Sequence, residues 1–135
     1  MSAAAGYTAA QLCRAARISR VTYDQWRARG FIASAQPPRG SGHPQRYSFE
    51  EVLQAAVLAA LVALGISVRE AKRASEILPA TAPDRGYLLL TVAADGTPGA
   101  MVVPKRKVLT KLRDAESFAG VDLKTLEERL RAVLR

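Results

Sequence analysis

Cysteine and histidine are nearly missing from this 135-residue chain: Cys13 and His43 stand alone. One thiol excludes an intramolecular disulfide. One thiol with one imidazole makes no recognisable metal site, so neither a metal nor a cofactor is expected. Beside Leu12 in a helical pattern, Cys13 reads as a small buried apolar residue. Acids are scarce at the start. Up to Phe49 the only carboxylate is Asp24, against seven arginines at 14, 17, 20, 27, 29, 39 and 46. No paired carboxylates and no nucleophile with its base appear in a supporting context. The glycines of GTPG, residues 96–99, read as a turn and not as a phosphate cradle. An enzyme is therefore excluded. The opening MSAAAGYT has no basic or apolar leader segment. The apolar run 52–66, broken by Gln54, is too short to span a bilayer, so no membrane partner is expected. The expected location is the cytoplasm, on the nucleoid.

The basic excess is segregated. The net charge is +8, and the stretch from Glu50 onward contributes little of it, with 13 basic and 11 acidic residues. Guanidinium groups suit phosphates and guanine edges, so the first half is expected to bind double-stranded DNA. Its local pattern agrees. Thr8 is placed to cap a helix whose Ala9, Leu12, Cys13 and Ala16 fall at helical spacing. After a break at Ile18, Ser19 caps a second helix, RVTYDQWRAR, which Gly30 ends in a left-handed conformation. A turn of about three residues between them is the length that a helix-turn-helix uses.

Residues 31–47 are rich in Pro, Gly and Ser, and their only full charges are arginines. They read as a loop or short hairpin, a wing over 33–47 between the apolar anchors Ile32 and Tyr47. Ser48 and Glu51 then fit a capping box at the start of a third helix. That helix has an apolar stripe through Phe49, Val52, Leu53, Ala56, Val57, Ala60, Leu61 and Leu64. It also carries Leu58 and Val62 on the opposite side, so both faces need cover. Gly65 ends it. Ser67 caps a fourth helix, VREAKRASEIL, with Glu70 completing a second capping box.

The expected organisation is a DNA-binding unit over 1–78, a stiff linker over 79–86, and a small α/β unit over 87–135. In the last, two strands flank an Asp95-Gly96 turn, and the first of them, 87–92, is apolar enough to be covered on both faces. Residues 105–115 read as a basic amphipathic helix with Val108, Leu109 and Leu112 inward. Its Lys105, Arg106, Lys107 and Lys111 read as a solvated face or a second phosphate contact. Residues 117–121 can add a third strand. Asp122 caps a last helix with a stripe at Leu123, Leu126, Leu130, Val133 and Leu134. The class is α+β: four helices with a wing, then a hairpin unit with two helices. Leu58, Val62, Leu123, Leu126 and Leu130 are the expected interface between the halves or between two copies.

In a helix-turn-helix the second helix presents its N-terminal turns to the major groove. Ser19, Arg20, Asp24, Gln25 and Arg27 are therefore the candidate readers. Arginine grips guanine, glutamine adenine, and an acid the cytosine amino group. At helical spacing from Arg20 and Arg27, Asp24 either holds these arginines in place or reads a base. Trp26 reads as a core anchor. Tyr23 either packs or offers its hydroxyl to a phosphate. Arg14 and Arg17 close the first helix, where they touch the DNA backbone or complement its carbonyl end. Arg39, His43, Arg46 and Tyr47 are the wing's candidate contacts, with a solvated loop role as the other reading of His43.

YTAAQLCRAARIS, SRVTYDQWRARGFI and QRYSFEEVLQAAVLAALVALGISVREAKRA, in this order and spacing, resemble the MerR family of winged helix-turn-helix transcription regulators over residues 7 to 75. The resemblance implies a sequence-specific DNA-binding regulator of bacterial or phage type; a homodimer is expected, with repression as one mode of action. Two departures are visible. The family usually has an arginine in place of Asp24 and an aromatic in place of Gln25. It also continues into a long dimerising helix, where this chain has a linker, a hairpin and short helices. The family's promoter-twisting mechanism depends on that helix. Two other readings remain open: an excisionase-like or packaging accessory protein that bends DNA, and an antitoxin-type module whose C-terminal unit binds a protein partner.

Overall fold

The computed structural model describes residues 6–32, 46–78 and 86–135. Within them the fold is α+β. Four helices come first: α1 (Ala9–Ala16), α2 (Arg20–Ala28), α3 (Phe49–Ala63) and α4 (Val68–Ser75). A hairpin of β1 (Tyr87–Ala93) and β2 (Pro98–Val103) follows, then α5 (Val108–Lys111), β3 (Ala115–Asp122) and α6 (Leu123–Val133). Most of the 33–47 wing and nearly all of the 79–86 linker lie outside the described residues.

The helix starts follow from their caps. Thr8 Oγ1 accepts from the Gln11 amide at 3.1 Å while Gln11 Oε1 accepts from the Thr8 amide at 2.8 Å, a closed capping box. Ser48 and Glu51 form another, at 3.1 and 2.9 Å. The expected second box at α4 closes only by half. Ser67 Oγ accepts from the Glu70 amide at 3.2 Å. The Glu70 carboxylate turns instead to Arg73, at 3.7 Å, because a cation on the same helix face competes for it. Helix α2 stops at Gly30, whose φ of +82° is the left-handed geometry expected there.

Helix α3 sits at the centre. It packs against α1 and α4 and also against β3 and α6. That explains why it is apolar all round. Val52, Leu53, Val57, Leu58 and Leu61 are all buried, and Val62 is half-buried against them. Leu58, Leu123, Leu126 and Leu130 join Leu12, Tyr23 and Tyr47 in one hydrophobic cluster that spans both halves of the sequence. The cover for the second face of α3 thus comes from within the protomer.

The sheet has the order β2-β1-β3, antiparallel throughout. As the central strand, β1 buries the consecutive residues Leu88 and Leu89 on opposite faces. Leu88 pairs with Val102 and Val121, and Leu89 with Met101 and Gly120. Gly86 lets the chain approach β2 closely, since a Cβ there would collide with the Val103 carbonyl.

One expected element is corrected. Residues 105–115 do not form a continuous helix. A short 3-10 turn, Lys105–Lys107, leads into one turn of α5, and β3 begins at Ala115. Leu109, expected inward, is 85% exposed. Pairing with β1 claims the end of the segment, because each strand residue there gains ladder hydrogen bonds and cross-strand contacts. Cys13 is also less enclosed than expected. It is half-buried against the core, and burial pushes its thiol pKa up.

Candidate nucleic-acid interface

Helix α2 owes its orientation to two side chains. Tyr23 is fully buried and Trp26 is half-buried against the core. With these two turned inward, the helical period turns Arg20, Val21, Asp24, Gln25, Arg27 and Ala28 outward, and all six are exposed. Ser19 caps the helix, its hydroxyl accepting from the Thr22 amide at 3.0 Å. The candidate reading residues therefore share one solvent face that starts at a capped N-terminus.

The arginines on this face are held in place. Arg20 Nε lies 3.4 Å from Asp24 Oδ1, both side chains remaining mostly exposed. The Arg20 guanidinium also sits 5.1 Å from the Tyr23 ring centre, and that of Arg27 sits 6.0 Å from it. Contact with the Tyr23 hydroxyl raises the Arg27 pKa further above its ordinary value. Asp24 thus occupies the position that orients Arg20, and its side chain remains mostly exposed. Arg14 and Arg17 are exposed at the end of α1. Arg17 adopts a left-handed φ of 61°, which closes the helix and begins the turn.

Two of the expected contact residues lie in the core. Tyr23 and Tyr47 are each 0% exposed. Their hydroxyls lie 2.6 Å apart, and their rings meet edge to face at 6.4 Å. The two hydroxyls share one hydrogen bond inside the core. Tyr47 has a positional role instead. Its backbone pairs with Tyr7 at 2.8 and 2.9 Å, which pins the chain before α3 to the chain before α1. Arg46 next to it is exposed, and its aliphatic stem covers Gly6. Arg39 and His43 lie outside the described residues.

Sequence reasoning missed Val21. It is 66% exposed in the first turn of α2, between Arg20 and Gln25 on the outward face. An apolar residue held in solvent there suits the methyl group of thymine. The signal was present: Val21 falls off the Tyr23–Trp26 stripe by helical spacing. Among the described residues no cluster of His, Cys, Asp or Glu could hold a metal, and no helix is long and apolar enough to cross a membrane.

No curated protein matches the chain. The family model described as "MerR HTH family regulatory protein" matches residues 7–76. That span runs from the Tyr7 bridge to the end of α4, and it takes in both helices of the helix-turn-helix and the central α3. The chain therefore belongs to the MerR HTH family, and it is a DNA-binding transcription regulator and not an enzyme.

Proposed function

We propose that this regulator recognises a specific duplex sequence through the outward face of α2, residues 19–29, and steadies itself on the backbone with the wing, 33–47. The observation that supports this most is the shared exposure of Arg20, Val21, Asp24, Gln25 and Arg27 over a buried Tyr23 and a half-buried Trp26. Arg20 grips a guanine edge, Gln25 an adenine and Val21 a thymine methyl. Arg14, Arg17 and Arg46 neutralise phosphates and set the register.

The protein acts in the cytoplasm as a homodimer, and it represses by occupying its site. The family's activating geometry needs a long dimerising helix, whereas this chain continues from α4 into a three-stranded sheet. A different surface supports a second copy. Leu64, Val92 and Phe118 are 58%, 40% and 62% exposed, and they border one groove of about 770 Å³ beside the edge strand β3. A two-fold contact there would pair identical unprotected edges and cover Phe118 in each copy.

Selection of bound sequences from a random duplex library tests the reading. Two inverted half-sites are expected. Head-to-tail repeats would point to a DNA-bending recombination accessory instead. Absence of any enriched sequence would remove sequence-specific recognition and leave the C-terminal unit's protein partner as the function to seek.

A further inference from the structure

A second groove, of about 600 Å³, lies between the helix-turn-helix and the C-terminal unit. We infer that it is a binding site for a small organic carboxylate with an apolar body, anchored by Arg129 and Arg17. Its volume falls in the range of small-molecule sites, roughly 300–1,000 Å³. The space exists because α3 presents alanines there, Ala59 and Ala60 among them, where larger side chains would fill it. Trp26 forms an opposing apolar wall.

The charge in the groove is one-sided. Half-buried Arg129 donates from Nη1 to the Ala15 carbonyl at 2.9 Å, and among the described residues its remaining N–H groups have no carboxylate partner. Arg17 lines the same groove. Burial, and then the charge of Arg17, push the Arg129 pKa below its ordinary value. Two cations beside each other, one of them partly desolvated, are held at a cost that an anion would offset. The planar guanidinium fork matches a carboxylate in two-point contact.

The DNA-binding reading accounts only for the Arg17 and Ser19 rim of this groove, not for its apolar walls or Arg129. Thr22 and Trp26 line it from the flank of α2 turned away from Arg20 and Asp24, so a duplex on the outward face leaves it open. A bare inorganic anion would satisfy the arginines but leave the alanine and tryptophan walls wet. The site also touches the reading machinery. Ser19, which caps α2, and Thr22, whose amide it accepts from, both line the groove, so occupancy bears on the orientation of Arg20. Only this last link rests on the DNA-binding reading.

Trp26 is the sole tryptophan and reports on the groove directly. The full chain, without DNA, is titrated with octanoate, cyclohexanecarboxylate and phenylacetate, with octanol and inorganic phosphate as controls. At least one carboxylate should change Trp26 emission saturably, and both controls should bind at least about tenfold more weakly. Arg129→Gln removes the charge and should weaken binding by about tenfold or more. Ala60→Leu fills the floor and should abolish the response while the circular dichroism spectrum stays unchanged. No saturable response to any of the three acids up to ~10 mM would overturn the site. So would equal binding of octanol, or wild-type binding by a folded Ala60→Leu variant. Because no DNA enters the assay, a failure here stands apart from a failure of the DNA-binding reading.

Discussion

Arg20 carries more of the account than any other residue, because it stands on the outward face of α2 with its guanidinium fixed by Asp24 and the Tyr23 ring. Fixing it in advance lowers the entropy lost when it meets a base. Arg20→Ala should cost about 1–3 kcal/mol on the preferred sequence and flatten the preference at one base position. A binding-site selection repeated with this variant checks it, and an unchanged preference would mean that another side chain reads that base. Tyr23 makes the opposite case. Its hydroxyl bond to Tyr47 is buried, so Tyr23→Phe should lower stability by about 1–2 kcal/mol in urea unfolding. It should leave the salt dependence of DNA binding unchanged, whereas a shallower slope would restore the phosphate role that burial denies it.

At the scale of elements, the caps decide where helices begin, and they were legible in the sequence. Thr8, Ser19, Ser48 and Ser67 all accept from the amide three residues on, as their positions predicted. Such signals are local: side chain and target amide lie within one turn. Ser48→Ala removes one arm of the box that starts the central helix, and thermal or urea unfolding should show a loss of about 1 kcal/mol. No change would mean that tertiary packing alone fixes the start of α3. What stayed hidden depended on distant partners. Residues 105–115 satisfy a helical period, but β3 claims the end of that segment, where Ala115 pairs with Ala93, 22 residues earlier in sequence. Likewise the sequence shows that Tyr47 is apolar-faced, but not that Tyr23 is waiting across the core to take its hydroxyl. Val21 was readable from helical spacing alone and was passed over because apolar residues are expected to point inward.

The whole molecule behaves as two sequence halves around one core. Helix α6 is tied to the first half by Arg129 on the Ala15 carbonyl and by Arg131, whose guanidinium lies 4.0 Å from the Phe49 ring centre. Leu58 and Val62 depend on this cover, and leaving them exposed would forgo roughly 3–6 kcal/mol. A fragment ending at Leu78 should therefore aggregate or unfold more readily than the full chain. A soluble, monomeric fragment of equal stability would contradict the shared core. The central claim, that an arginine-lined surface binds duplex DNA, is tested most directly by measuring affinity against salt concentration. With Arg14, Arg17 and Arg46 on phosphates, joined by two or three of Arg27, Arg29 and Arg39, log affinity should fall against log salt with a slope of about −4 to −6. A flat dependence would contradict it.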